Sequence, residues 1–358
     1  MDTQAIGDLT AARGPFASVH FDDSHHTEDA AKRLRLRVKE ITVALADQGA
    51  DEPTVEALVR AIEDAPPPVG ESGRSLIAAH GAVLLDEHLA GPPATQVVRY
   101  SDLPYLVPLA SHAAGRPPYL VVVADRVGAE ITTYGEGAPR AESVNGHPLS
   151  AGDTAHKDLQ SRAEETAKQN LEEVARRVAK TAERAGAELV VLAGEVQART
   201  ALHDLLPERV RRVSTAVEGG SRAPGSSRDE LDRRVAELLM SRRLSALDDV
   251  AERFRAETGR GSGLAVSGLA GVTAALAEAN VETLLVGEPG NAVVYTGPEP
   301  VQVGTAKPRL DALGVPDPSR HRADEAVPYA AFATGAELVV MDERLRLADG
   351  FGALLRHS

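Results

Sequence analysis

The clearest periodic signal in the chain is a stripe of apolar residues, Ala167, Leu171, Val174, Val178 and Ala182, spaced four, three, four and four apart. That is one face of a 3.6-residue repeat and predicts an amphipathic helix. Ser161 with Glu164 has the S-x-x-E form of a capping box, which sets the predicted start at 161, and Gly186 supplies the stop. Upstream, 143–160 reads S-V-N-G-H-P-L-S-A-G-D-T-A-H-K-D-L-Q, polar and punctuated by glycine and proline. The expectation is a loop that reaches out from the foot of a capped helix.

A different pattern flanks it. Y-L-V-V-V-A at 119–124 and E-L-V-V-L-A at 188–193 are short, continuous apolar runs, which predict strands covered on both faces. A strand at 129–134 should pair with the first across a turn at Gly128; a helix at 196–206 and a strand at 210–214 follow. This alternation predicts an α/β unit with a mainly parallel sheet. Before it, 15–21 alternates as a strand, 33–47 and 54–64 read as helices, and 75–79, 82–89 and 96–100 read as short strands, the first two a hairpin across His80-Gly81. After it come a long helix at 229–257, a helix at 269–279, a strand at 281–286, edge strands at 292–295 and 300–303, a helix at 324–334, and strands at 337–341 and 351–356. Gly115-Arg116-Pro117-Pro118 and the run E-G-G-S-R-A-P-G-S-S at 218–227 read as linkers. The expected fold class is therefore α/β, in three small domains at 1–115, 116–222 and 223–358.

Composition narrows the chemistry. The chain is 43% hydrophobic but only 3% aromatic, without tryptophan or cysteine, so its cores are aliphatic and disulfides and thiolate metal sites are excluded. The start M-D-T-Q-A-I-G-D is no signal peptide, and no apolar run approaches the ~20 residues that span a bilayer. The expectation is a cytoplasmic protein without a membrane partner. A net charge of −14 argues against a generic duplex binder and so against a DNA partner, while local basic patches leave RNA open. Those patches are 32–39, Arg209/Arg211/Arg212, Arg233/Arg234 and Arg242/Arg243; each reads first as a solvated helix face. Asp22, Asp23, His25 and His26 carry metal-ligand side chains, but neighbours in a turn rarely converge on one ion, so a solvated turn is expected and no metal. Gly259-Arg260-Gly261-Ser262-Gly263 lacks the lysine of a phosphate loop, and no G-x-S-x-G elbow exists, so no cofactor is expected.

Two segments bear a family likeness. G-S-G-L-A-V-S-G-L-A-G-V-T-A-A-L-A-E-A-N-V-E-T-L-L-V-G at 261–287 resembles the third domain of the archaeo-eukaryotic release-factor superfamily, which includes Pelota. The stretch 324–342 followed by Gly350-Phe351-Gly352-Ala353-Leu354-Leu355-Arg356 resembles that domain's closing helix–strand and its terminal G-x-G-A-x-L-R strand. G-P-F-A-S-V-H-F-D-D-S-H at 14–25 and G-E-V-Q-A-R-T at 194–200 resemble the bacterial branch, in particular the actinobacterial members similar to the hibernation factor Balon.

The resemblance implies a three-domain arrangement like a class-1 factor or Pelota. Its first domain would face the decoding centre, its middle domain would carry the 143–160 loop, and its third, L7Ae-like domain would face a GTPase. It implies as partners the ribosome, through rRNA of the A site, and EF-Tu or another translational GTPase. RNA contacts would fall to Asn145, Gly146, His147, His156, Lys157 and Gln160 of the loop and to Arg35 and Arg37 of the first domain. Where such factors carry Gly-Gly-Gln before the helix, this chain has Asp158-Leu159-Gln160-Ser161: the glutamine stays and both glycines are gone. The glycines permit close backbone approach and the glutamine positions water. Motifs that read stop codons have no equivalent, and Gly219-Gly220-Ser221 is not the displaced motif. Two readings follow: occupation of the A site in hibernation or rescue without peptide release, or peptidyl-tRNA hydrolysis through Gln160.

Overall fold

The computed structural model describes residues 9–24, 29–66, 72–89, 91–93, 95–113, 118–135, 139–147, 156–222 and 228–358. The expected linker residues 115–117 and 223–227, His25, His26 and the loop residues 148–155 lie outside the described residues. The chain divides into two compact units, one made of 1–114 with 244–358 and the other of 115–243.

The N-terminal part holds β1 (Phe16–Asp22), α1 (Ala30–Asp47), α2 (Glu52–Glu63), β2 (Gly73–Ala79), β3 (Ala82–Leu89), β4 (Val97–Ser101) and α3 (Val107–Ala113). The strands form an antiparallel sheet in the order β3-β2-β1-β4. Successive side chains of β1 serve opposite faces. Ala17, Val19 and Phe21 pack with Ile41, Leu45, Leu58 and Ile62 of the two helices. Phe16 joins Ile77, Leu106 and Leu109 on the other face, where Tyr329 and Phe332 from the far end of the chain close the core. Asp51 caps α2 by accepting the Thr54 N–H at 3.0 Å, with Pro53 in the first turn.

The middle unit runs β5 (Tyr119–Ala124), β6 (Gly128–Tyr134), β7 (Arg140–Asn145), α4 (His156–Ala185), β8 (Leu189–Gly194), α5 (Val196–Leu205), α6 (Glu208–Arg211) and β9 (Ser214–Ala216). The apolar runs behave as expected: Leu120, Val122, Val190 and Leu192 pack under α4 and α5, while Tyr119, Val121, Val123 and Val191 face the other way. Three expectations are corrected. The sheet, in the order β7-β6-β5-β8-β9, is half parallel and half antiparallel, because β5, β6 and β7 form a meander. Pro207 and the Glu208 pairs with Arg211 and Arg212 make 208–211 helical, so the strand expected at 210–214 begins only at Ser214. Helix α4 starts at His156, a turn ahead of the Ser161 capping box.

The long helix α7 (Asp229–Arg260) gives its first half to the middle unit and its second to the other. Leu231, Val235 and Leu239 cover the second face of β5 and β8. Leu247, Ala251 and Phe254 join a C-terminal core with Leu285, Val339 and Leu354. That C-terminal part adds β10 (Ala265–Ser267), α8 (Leu269–Ala277), β11 (Val281–Val286), β12 (Val293–Thr296), β13 (Val303–Gly304), α9 (Lys307–Ala312), β14 (Ser319–Arg322), α10 (Ala323–Ala333), β15 (Glu337–Val340) and β16 (Phe351–Leu355). Its main sheet runs β10-β16-β11-β15, with a second sheet β13-β12-β14 beside it. Short, charged β14 and α9 escaped the sequence reading because neither shows a periodic apolar face.

A polar seam joins the two ends of the chain inside their shared unit. Arg99 donates to Asp324 at 3.1 Å and to Glu325 at 3.0 Å, and its guanidinium lies 3.6 Å from the Tyr105 ring centre. Arg322 adds bonds to Asp324 at 2.8 and 2.9 Å. Burial alone would raise the Asp324 carboxyl, but the hydrogen bonds from Arg322 and Arg99 outweigh it and hold the group below its usual range. For Glu325 burial wins and its pKa is raised.

Candidate functional site

The candidate site is the foot of the connection between β7 and α4 in the middle unit. Strand β7 ends at Asn145 and α4 begins at His156, so the connection spans 146–155. Its described end is pinned. Asn170, 3% exposed, sits on α4 within the apolar stripe and turns its amide to the loop. Its Oδ1 accepts the His147 N–H at 2.8 Å, and its Nδ2 donates to the carbonyls of His147 at 2.9 Å and Arg126 at 3.3 Å. Gly146 donates its N–H to the Val127 carbonyl at 2.8 Å. A Cβ at Gly146 would lie 2.1 Å from Asn170 Oδ1, so the close approach requires glycine there.

A second clamp holds the same corner. Asp125 Oδ1 accepts the N–H groups of Val127 and Gly128, each at 2.8 Å, and tightens the β5–β6 turn. Arg222 bonds that carboxylate at 2.8 Å and, with its other nitrogen, the Asn145 amide oxygen at 2.6 Å. Farther along, Thr181 and Arg177 of α4 bond Glu142 of β7 at 2.6 and 3.4 Å. Strand, turn and helix thus form a rigid mount from which the loop departs.

The structure brings Asn145, Gly146 and His147 together at this foot, with the side chains of Asn145 and His147 exposed. His156, Lys157 and Gln160 fall in the first two turns of α4, as do Asp158, Leu159 and Ser161; the side chains of 156–162 lie outside the described residues. Arg35 and Arg37 are on α1, which belongs to the other unit. Arg35 is exposed, whereas Arg37 is turned back onto Asp22, bonding its carbonyl and its carboxylate, the latter at 3.3 Å. Burial pushes the Asp22 carboxyl up, but bonds from Ser24 and the charge of Arg37 outweigh it and lower its pKa.

The other motifs resolve into structure. Among the described residues no three His, Cys, Asp or Glu side chains gather as metal ligands. Gly261 and Gly263 adopt φ of +61° and +78° and terminate α7, with Ser262 bonded to Glu257 at 2.7 Å. Arg211, Arg212, Arg233 and Arg234 are paired with glutamates of their own helices. Among the described residues no helix is long and apolar enough to cross a membrane. Asn170, Asp125 and Arg222 were missed. Asn170 did leave a signal, a lone polar residue where the 3.6-residue stripe calls for an apolar one; Asp125 and Arg222 left none, being 97 positions apart.

Comparison with known proteins places this geometry. The family model described as bacterial archaeo-eukaryotic release factor family 2 matches residues 118–260, which contain the whole mount. Two Mycobacterium tuberculosis proteins, "Uncharacterized protein Rv2629" and "Uncharacterized protein MT2704", are each 39% identical over 364 residues, covering 100% of this chain and 97% of theirs. Among solved structures, the translation termination-like factor Dom34 of S. cerevisiae shares 10% identity over 80% of each chain, with a TM-score of 0.42. The archaeal translation termination factor aRF1 shares 16% identity over 98% of this chain and 95% of its own, with a TM-score of 0.27.

Proposed function

The chain belongs to the bacterial archaeo-eukaryotic release factors, family 2, and from that membership we propose that it is a ribosome-associated translation factor of the cytoplasm. In this reading it occupies the A site, in hibernation or rescue, without releasing the peptide. The observation that carries the reading is the mount: Asn170 and Arg222 fix the Asn145-Gly146-His147 foot, so the segment beyond starts from a set position. A segment meant to be placed deep in another body needs such a base, since an unfixed loop would lose its ordering entropy on binding. His147, His156, Lys157 and Gln160 are the residues offered to rRNA, with Arg35 as a contact of the first domain.

The absence of release chemistry follows from the D-L-Q-S sequence at 158–161. Leucine and aspartate stand where two glycines allow the backbone to approach an ester, and all four residues are helical. The aspartate also adds a negative charge to a segment that, in this reading, meets RNA phosphates. A GTPase such as EF-Tu would deliver the factor through the C-terminal part, as the family resemblance implies.

The test is twofold. Co-sedimentation with ribosomes and cryo-EM should show the chain in the A site; ribosomes free of it at saturating concentration overturn the reading. Peptide release from a peptidyl-tRNA–ribosome complex should stay at background. Release that disappears in Gln160→Ala establishes the hydrolase instead.

A further inference from the structure

An open groove of about 590 Å3 runs between α1 and α2, and none of its lining residues belongs to the polar seam. Ala46, Val55 and Val59 line its apolar floor, and Glu52, Glu56, Glu63 and Asp64 line it on the acidic side against one cation, Arg60. Glu52, Glu56 and Glu63 stand at i, i+4 and i+11 on α2, beside the row of Val55 and Val59. Among the described residues none of these four carboxylates has an ion-pair partner. Some carboxylates elsewhere among the described residues are neutralised. Glu208, Glu230, Glu257 and Glu282 are all paired with arginines. A row of unneutralised carboxylates along an apolar floor is what a basic, partly apolar partner would complete.

We propose that this groove docks a lysine- or arginine-rich segment of a partner protein that presents two apolar side chains on one helical face. The 12 residues of α2 span about 18 Å, room for a partner helix of about three turns. A neutral apolar helix would desolvate the carboxylates without counter-charge, and nucleic acid would set phosphates against them. A basic segment satisfies floor and rim together. The proposal stands whether or not the chain meets a ribosome.

The experiment uses the full chain and a short labelled peptide of Lys and Leu with leucines at i and i+4, read by fluorescence anisotropy at physiological salt. Two comparators accompany it: a scrambled peptide of the same composition, and an RNA oligonucleotide. Glu52→Lys/Glu56→Lys/Glu63→Lys should weaken the patterned peptide about tenfold or more, and Ala46→Arg, which fills the groove from an exposed position, should do the same. Glu230→Lys/Glu237→Lys, at carboxylates already paired on α7, should leave affinity unchanged. Circular dichroism checks that each variant folds. Unchanged affinity in either groove variant overturns the proposal. So does equal binding of the scrambled peptide or of RNA, or an equal loss in the α7 variant.

Discussion

Two buried polar clusters hold the two units, and they do it with opposite chemistry. At the loop foot a neutral amide, Asn170, satisfies three backbone groups of Arg126 and His147. At the seam between the chain ends, a charged set of Arg99, Arg322, Asp324 and Glu325 joins β4 to α10. An amide costs little to bury when fully bonded and fixes a backbone path independently of pH. An ion cluster with buried carboxylates joins segments more than 200 positions apart, but Asp324 and Glu325 have lost most of their water and depend on the partly exposed arginines. The foot is built for position, the seam for holding distant sequence together.

The largest effect should come from breaking the seam. Arg99→Ala leaves Glu325 buried without its cation and should destabilise the unit by ~3 kcal/mol, read as a lower denaturant midpoint. Asn170→Ala strips three backbone partners at once. It should cost ~1–3 kcal/mol, and hydrogen exchange should quicken first at the amide of His147. Gly146→Ala should be comparably harmful alone, because its Cβ meets Asn170 Oδ1 at 2.1 Å. In the Asn170→Ala background that added cost should shrink without disappearing, since the Cβ of residue 170 stays 2.8 Å away, a non-additivity expected of groups in contact. Additive losses would break the account of the foot. Arg222→Ala should cost ~1 kcal/mol or less while loosening Asn145, seen as a local change in amide exchange.

Acidity separates the clusters most gently. The lowered Asp324 pKa contributes stability that is complete above the free-aspartate value of ~3.9 and lost as pH falls below it. The raised Glu325 pKa acts in reverse, with stability present at low pH and lost as pH rises through its folded value. Amides of α10 should therefore change protection on acidification while those of α4 around Asn170 stay level. Parallel changes in both would contradict the contrast.

Much of the fold was legible in sequence because its signals are local. The apolar stripe of α4 is buried at Ala167, Leu171, Val174, Val178 and Ala182, and the runs at β5 and β8 are strands covered on both faces, as continuous apolar sequence requires. The start of α4 was not legible. A capping box signals where a helix can begin, and here the helix continues a turn beyond it. Nor was β7, whose R-A-E-S-V-N buries only Val144 and owes its place to pairing with β6. The seam was invisible for a related reason: nothing near Arg99 in sequence foretells Asp324.

The sequence by itself determined the α/β class, the positions of the apolar elements, the family likeness and the Asp158-Leu159 pair that stands where the factors it resembles carry two glycines. Periodicity and motif identity depend only on neighbours along the chain. The tertiary structure alone decided that Asn170 and Arg222 clamp the loop foot, that the two chain ends share one unit, and that Glu52, Glu56 and Glu63 of α2, with Asp64 after it, border an apolar groove without an ion-pair partner among the described residues. Those facts depend on which side chains meet across the fold, and such meetings are set by packing rather than by spacing.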